Sequence, residues 1–146
     1  MMSDLYRNIV IATDGSENTR RAISYGIEIA KISGATVHVL YVVNTPATIS
    51  ESWTAGKEEI YKIMRCDGEK LVSKVKEIGK DAGVEIRDVL LDGCPSDEII
   101  NFAENNNVDL IVMGTLGKTG LEKFLMGSVA EKVVRGSKVP VMVVRA

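Results

Sequence analysis

The fold of this sequence is decided by a glycine-bearing stretch that reads Asp109-Leu-Ile-Val-Met-Gly114-Thr-Leu-Gly117 and, nine residues later, Gly127-Ser128-Val-Ala-Glu131. It opens with a short apolar run of strand length, and the residues after Gly127 have the pattern of a helix start. Glycine allows a ligand to approach the backbone closely, and a helix N-terminus presents unpaired N–H groups at the positive end of its dipole. The stretch therefore predicts a phosphate cradle and, with it, a bound nucleotide.

Strand and helix patterns alternate over the rest of the chain. Strands are predicted at about residues 9–13, 36–43, 84–91, 109–113 and 139–144, with helical patterns between them. Alternation of this kind is typical of a parallel sheet, and right-handed crossovers restrict how its strands can be ordered. We predict one α/β domain over residues 1–146, with a single doubly wound, five-stranded parallel sheet in the order 3-2-1-4-5 and helices on both faces.

In that strand order, the winding direction reverses between the first and fourth strands. Sheets of this class bind ligands there, outside the carboxyl ends of the strands. The loops that reach the reversal point are Thr13-Asp14-Gly15 and Met113-Gly114. Two glycine-bearing strand ends are thus expected to meet at one point.

The longest predicted helix spans about residues 58–82. Its buried stripe is predicted to contain Ile60, Met64, Leu71, Val75 and Ile78, which recur at roughly helical spacing. Asp67-Gly68 interrupts this pattern and predicts a bend or a loosened turn, and Gly83 predicts the end of the helix. Residues 44–56, before this helix, are predicted to form an irregular loop.

Two residues near the predicted cradle have a structural interpretation beside the ligand-binding one. Ser128-Val-Ala-Glu131 fits a capping box, in which the serine caps the helix; capping and phosphate binding can coexist at one helix end. Asp14 is either a ligand group, for ribose hydroxyls or a hydrated Mg²⁺, or an Asx-type turn residue before the first helix.

Composition and charge exclude several other classes of function. The 146 residues are 45% hydrophobic and 26% charged with a net charge of −2, which is ordinary for a globular domain and gives no reason to expect nucleic-acid or membrane binding. No signal peptide is apparent, and no run approaches the roughly 18 apolar residues of a membrane helix. Cys66 and Cys94 are too few for a disulfide framework or a metal cluster, so we expect a cytoplasmic protein without a metal site of its own.

Other nucleotide motifs and catalytic sets fail on spacing. Gly117-Lys118-Thr119 resembles the end of a P-loop, but that motif requires a glycine where this chain has Val112. The dinucleotide fingerprint also fails in spacing and in its downstream acid. His38, the single histidine, lies mid-strand between two valines, which favours a packed residue over a catalytic base. No catalytic residue is predicted.

Taken in order, these motifs resemble those of the universal stress protein family, over essentially the whole chain. The resemblance rests on Asp14-Gly-Ser16 after the first strand, on Gly114-x-x-Gly117-(nine residues)-Gly127-Ser128 after the fourth, and on Pro140-Val-Met-Val-Val144. The glycine spacing is similar to that of the family's ATP-binding subgroup. The resemblance implies a small cytoplasmic protein that binds ATP, is usually a homodimer and is linked to survival under stress.

Carried over by position, the resemblance implies a set of nucleotide-binding residues. These are Ala12, Thr13, Asp14, Val42, Met113, Gly114, Gly117, Gly127, Ser128 and Val129. Asp14 is expected near the ribose or phosphates, Val42 near adenine, and Met113 with its neighbouring glycine on the base and ribose side. Gly117, Gly127, Ser128 and Val129 match the phosphate loop. The chain departs from some ATP-binding members at Ala12, where they carry proline.

Two functions fit this site. The first is a nucleotide-dependent molecular switch in the stress response, in which ATP stabilises one conformation or assembly and residues 44–56 and 115–126 are candidate moving segments. The alternative is a slow ATPase or phosphotransferase, because phosphoryl transfer depends largely on positioning and charge stabilisation. In either case Mg²⁺ is expected to be held mainly by the phosphates.

A homodimer is predicted through the fifth strand. Val139-Pro-Val-Met-Val-Val144 is nearly all apolar, yet it lies at a sheet edge in the predicted strand order. Natural proteins cover or pair such edges, and a two-fold partner presenting the same strand would do so. The sequence identifies no downstream protein partner.

Overall fold

The computed structural model describes residues 5–44, 55–115 and 126–146. Its elements in chain order are β1 (Asn8–Ala12), α1 (Arg20–Ser33), β2 (Thr36–Asn44), α2 (Ala55–Asp81), β3 (Ile86–Gly93), α3 (Pro95–Asn105), β4 (Leu110–Gly114), α4 (Ser128–Gly136) and β5 (Val141–Val144). A single 3-10 turn (Glu17–Thr19) precedes α1. The predictions for Gly117 and for most of the two candidate moving segments lie outside the described residues. Residue 44 and residues 55–56 belong to β2 and α2, so the predicted loop is shorter than expected.

The five strands form one parallel sheet in the order β3-β2-β1-β4-β5, which confirms the predicted topology. β1 is central, and its last residue, Ala12, pairs with Leu40 of β2 and Met113 of β4. The carboxyl ends of β1 and β4 therefore lie side by side, and β2 continues four residues beyond Leu40, to Asn44. The loops after β1 and β4 leave the sheet at the point where the winding direction reverses.

Helices cover both faces of the sheet. Ile9 and Ile11 of β1 pack with α1 and α2, whereas Val10 and Ala12 pack with α3 and α4. This alternation follows from the two-residue period of a strand. A central strand that is apolar on both faces is typical of parallel sheets, and residues 9–11 have no exposed surface.

The contact face of α2 differs from the predicted stripe. The helix runs without a break through Gly68, so the predicted interruption is wrong. Its buried line consists of Gly68, Val72, Val75 and Gly79. Val75 was predicted correctly, and Met64 and Leu71 pack partly against the core, but Ile60 and Ile78 are 58% and 45% exposed.

Close approach explains why a glycine lies on this face. A Cβ at Gly68 would lie 2.6 Å from the ring of Tyr41 and 2.9 Å from Leu90 Cδ1. The helix therefore rests on β2 and β3 at a distance that a larger residue would not allow. Hydrophobic periodicity cannot reveal such a contact, because glycine contributes no apolar side chain to the pattern.

No helix in the described part of the chain is both long enough and apolar enough to cross a membrane.

Candidate functional site

A cleft of about 380 Å³ opens at the carboxyl edge of the sheet, between the loops that follow β1 and β4. Its volume falls in the usual range of roughly 300–1,000 Å³ for small-molecule sites. The predicted site residues that line it are Ala12, Thr13, Asp14, Val42, Met113, Gly114, Gly127, Ser128 and Val129. The structure thus brings together every predicted site residue that it describes, although they come from four separate parts of the sequence.

One wall of the cleft is apolar. Val42 and Met113, near the ends of β2 and β4, contribute to it. Leu40, Pro95 and Ile99 extend it, and sequence reasoning did not include them in the site. Because α3 follows β3, its first turn must start at the same edge of the sheet, and this was the available signal for Pro95 and Ile99.

The turn after β1 forms a second wall. Gly15 has φ +82°, a left-handed conformation that glycine adopts at little cost. The Ser16 N–H donates to Asp14 Oδ1 at 2.9 Å, so Asp14 forms the Asx turn that was one of its two interpretations. Asp14 also lines the cleft, so the same side chain could fill both of its predicted roles.

The third wall is the start of α4. The Gly127 N–H donates to the Thr115 carbonyl at 2.6 Å, and the Gly127 carbonyl accepts the first intrahelical bond, from the Glu131 N–H at 3.0 Å. As at any helix start, the N–H groups of the first three helical residues, Ser128 to Ala130, precede that first bond. They are therefore available to a ligand, and the helix dipole favours an anion beside them.

The predicted capping box at Ser128 is wrong. The N-cap is Gly127, with φ −64° and ψ 160°, and no side chain caps the helix. The helix begins one residue earlier than a serine cap requires, which places Ser128 inside the first turn. The Glu131 carboxylate instead pairs with Arg135, one turn further along, at 2.9 Å.

The charge of the cleft is simple. Among the described residues that line it, Asp14 is the single Asp, Glu, Lys, Arg or His side chain. Attraction for an anion therefore comes from backbone N–H groups and the α4 dipole. The described residues contain no group of three His, Cys, Asp or Glu side chains arranged to hold a metal ion.

His38 lies on β2 and does not line the cleft, which begins two residues further along the strand, at Leu40. It is 8% exposed, its Nε2 is 3.4 Å from Asn8 Oδ1, and its ring centroid is 5.5 Å from that of Phe102. Burial, followed by the nearby Arg87, holds the pKa of His38 below its usual value. This is the packed strand histidine that the sequence predicted.

A second, wider groove of about 630 Å³ lies between the end of α2 and the start of β3. It is lined by mixed charges, among them Lys76, Glu77, Lys80 and Glu85. It contains none of the predicted site residues.

Comparison with known proteins identifies the family. The sequence profile of the universal stress protein family matches residues 5–145. The chain is 42% identical over 142 residues to universal stress protein MJ0531 of Methanocaldococcus jannaschii, a match that covers 97% of this chain and 84% of that protein.

Solved structures agree in fold. The structure of MJ0577, from the same organism, has a TM-score of 0.85 and 30% identity, with 97% of each chain covered. A universal stress protein solved in complex with cAMP has a TM-score of 0.72 and 25% identity, with 96% of this chain and 97% of that one covered. With its family profile, its sequence relatives and its strand order in accord, this chain belongs to the universal stress protein family.

Proposed function

We propose that this protein binds ATP in the cleft between β1 and β4 and acts as a nucleotide-dependent molecular switch. The observation that carries the proposal is the meeting, in one cleft, of an apolar wall and the unpaired N–H groups of a helix start. An adenine nucleotide needs both, because its base is flat and largely apolar whereas its phosphates are anionic. The cAMP complex of a family member supports a nucleotide as the class of ligand.

The proposal assigns a part of the nucleotide to each wall. Adenine lies against Val42 and Met113, and the ribose lies near Asp14. The phosphates lie at the start of α4, where the N–H groups of Ser128 and of the two residues after it donate to them. Gly127, whose own N–H is bonded to the Thr115 carbonyl, lets them approach the backbone closely. Ala12, Thr13 and Gly114 border the base and ribose, and Gly117 belongs to the phosphate loop. Mg²⁺ accompanies the phosphates, which hold it.

A switch requires that ATP have unequal affinities for two states of the protein. The proposed moving segments are residues 44–56 and 115–126. Asn44 and Thr115, where they begin, line the cleft, as does Gly127, which follows the second segment. Hydrolysis is the alternative function, and the same samples distinguish the two. ATP that stays uncleaved after prolonged incubation with Mg²⁺ favours the switch, whereas steady turnover that is lost in Asp14→Ala favours an enzyme.

We further propose that one nucleotide-binding domain spans residues 1–146 and that it forms a homodimer through residues 139–144. Three of the four residues of β5 are only half-buried in the single chain, although all four are apolar. We place the protein in the cytoplasm, where ATP is available and where the two exposed thiols, Cys66 and Cys94, stay reduced.

Isothermal titration of purified protein with ATP and AMP tests the binding site. Gly127→Val should weaken ATP binding at least about ten-fold, equivalent to about 1.4 kcal/mol, because the new side chain lies where the phosphates approach. Its φ of −64° is open to any residue, so the variant should fold normally. Val42→Arg should weaken ATP and AMP alike, since it blocks the base rather than the phosphates.

Val134→Ala provides the matched control, because Val134 lies on the same helix, is 43% exposed and does not line the cleft. It should bind ATP as the wild type does. Unchanged ATP affinity in a folded Gly127→Val variant contradicts the proposed phosphate position, and a loss of ATP but not AMP in Val42→Arg contradicts the proposed base position.

A further inference from the structure

A chain of hydrogen bonds runs beneath the turn that carries Asp14. The Gly15 N–H donates to Thr13 Oγ1 at 3.2 Å, the two hydroxyls of Thr13 and Thr19 are 2.8 Å apart, and Thr19 Oγ1 lies 2.9 Å from the Ser16 carbonyl. Thr13 and Thr19 are 6% and 5% exposed. These hydrogen bonds are therefore buried, next to the cleft that both threonines line.

The direction of every bond in this chain is determined. A carbonyl oxygen can only accept, so the hydroxyl hydrogen of Thr19 goes to Ser16. A hydroxyl has one hydrogen, so the bond between the threonines must be donated by Thr13. Thr13 Oγ1 in turn accepts from the Gly15 N–H. Neither hydroxyl hydrogen remains for a ligand, and the two threonines act on the turn instead.

The same turn fixes the carboxylate of Asp14. These hydrogen bonds fix the N–H of Gly15 and the carbonyl of Ser16. The two groups lie on either side of the Ser16 N–H, which donates to Asp14 Oδ1. Thr19 occupies the N-cap position of α1, yet its side chain makes no cap bond to that helix. Its hydroxyl is used entirely on the turn.

We propose that Thr19 is a positioning residue for nucleotide binding, which holds Asp14 in place for the ribose hydroxyls through Thr13 and the turn. This inference rests on the proposed function. Thr19 itself makes no bond to the nucleotide. Its loss should therefore matter only as far as the contact between Asp14 and the ribose matters.

The test is a double-mutant cycle with two nucleotides. Thr19→Val, which is nearly the same size as threonine, is made in the wild-type and Asp14→Ala proteins, and ATP and 2′,3′-dideoxy-ATP are titrated into each. In the wild-type background Thr19→Val should weaken ATP about five-fold, the equivalent of one net hydrogen bond of about 1 kcal/mol. In the Asp14→Ala background, Thr19→Val should cause no further loss of ATP affinity. In the wild-type background, Thr19→Val should leave the affinity for dideoxy-ATP unchanged. Thr19→Ser, which keeps the hydroxyl, should restore ATP binding.

The outcomes that would contradict the positioning role of Thr19 are distinct. Equal losses for ATP and dideoxy-ATP, or losses that add in the double variant, show a general structural role and overturn the positioning role. Unchanged ATP affinity in Thr19→Val does the same. Thr19→Ala, which cannot overpack the site, replaces the valine variant if thermal unfolding shows that the latter does not fold. A wild-type protein that binds neither nucleotide overturns the proposed function and, with it, this inference.

Discussion

The two edges of the sheet differ in how their backbones are protected. β3 carries Arg87, Asp88 and Asp92 along an edge that has no neighbouring strand among the described residues. β5, at the opposite edge, is four residues long and carries no charge. Charged side chains on an edge strand discourage pairing with another chain, and an apolar edge invites it. The difference shows that one edge carries protective charges and the other carries none, and it supports the proposed homodimer through β5.

β3 is also fastened to the helix that covers it. Asp88 pairs with Lys76 of α2 at 3.3 Å, and Asp92 accepts a hydrogen bond from the Tyr61 hydroxyl at 2.8 Å. Between these two acids, Leu90 meets the helix at Gly68. One face of the strand thus alternates acids with apolar residues, and α2 supplies a polar partner or a close backbone contact to each in turn.

The largest expected effect concerns β5. Val141→Lys combined with Val143→Lys should convert the proposed homodimer into a monomer, halving the mass measured by light scattering. Two ammonium groups from each protomer would otherwise be buried opposite one another across a two-fold interface. The matched control places lysines on the other edge, as Arg87→Lys with Asp88→Lys, and should leave the mass unchanged. A wild-type protein that sediments as a monomer at low micromolar concentration would refute the dimer.

The next effect concerns the contact between α2 and the β3 half of the sheet. Gly68→Leu should lower the free energy of unfolding by about 1–3 kcal/mol, since the side chain overlaps Tyr41 and Leu90. Urea denaturation measures the change. Gly56→Leu, on an exposed position of the same helix, is the control and should be neutral or slightly stabilising. Equal free energies of unfolding for the two variants would contradict the prediction that a side chain at position 68 is destabilising.

The smallest effect is a pH dependence in β2, next to the charged edge. Because the pKa of folded His38 lies below the value of 6.5 expected for the unfolded chain, the unfolded state binds a proton more readily. The contribution of His38 to the free energy of unfolding should be fully present above about pH 6.5. It should be lost as the pH falls through the lower pKa of the folded state. Urea midpoints at about pH 7.5 and about pH 5.5 should differ less in His38→Gln than in the wild type.

Arg87 provides a second test of this pH dependence, because it is the second cause of the lowered pKa of His38. Arg87→Gln should raise the pKa of His38 and reduce the loss of stability at low pH. An identical pH dependence in wild type and His38→Gln would assign that loss to other groups.

Much of the fold could be predicted from the sequence, because alternating strand and helix patterns with right-handed crossovers allow few topologies. The order of the five strands followed from that alternation. The contact face of α2 did not, because two of its four buried positions, Gly68 and Gly79, are glycines. Ile60 and Ile78 were predicted to be buried from their spacing, yet the phase of the helix is decided by where its backbone can approach the sheet.

The candidate site was predictable where sequence neighbours form it and less so where the fold assembles it. The loops after β1 and β4 contain turn and glycine signals, and Asp14, Gly114 and Gly127 all line the cleft. Thr19 and Ile99 reach it from the starts of α1 and α3. No local pattern distinguishes them from other helix-start or core residues, since their role depends on which strand ends lie side by side.

The hydrogen bond between the Thr115 carbonyl and the Gly127 N–H has a practical consequence for protein engineering. It joins the residues on either side of segment 116–126, Thr115 after β4 and Gly127 before α4. Doubling the length of a connecting loop costs only about 0.6 kcal/mol in closure entropy. A circularly permuted fluorescent protein inserted between Thr115 and Gly127 should therefore leave the scaffold intact, and we propose this position for a genetically encoded sensor of the proposed nucleotide.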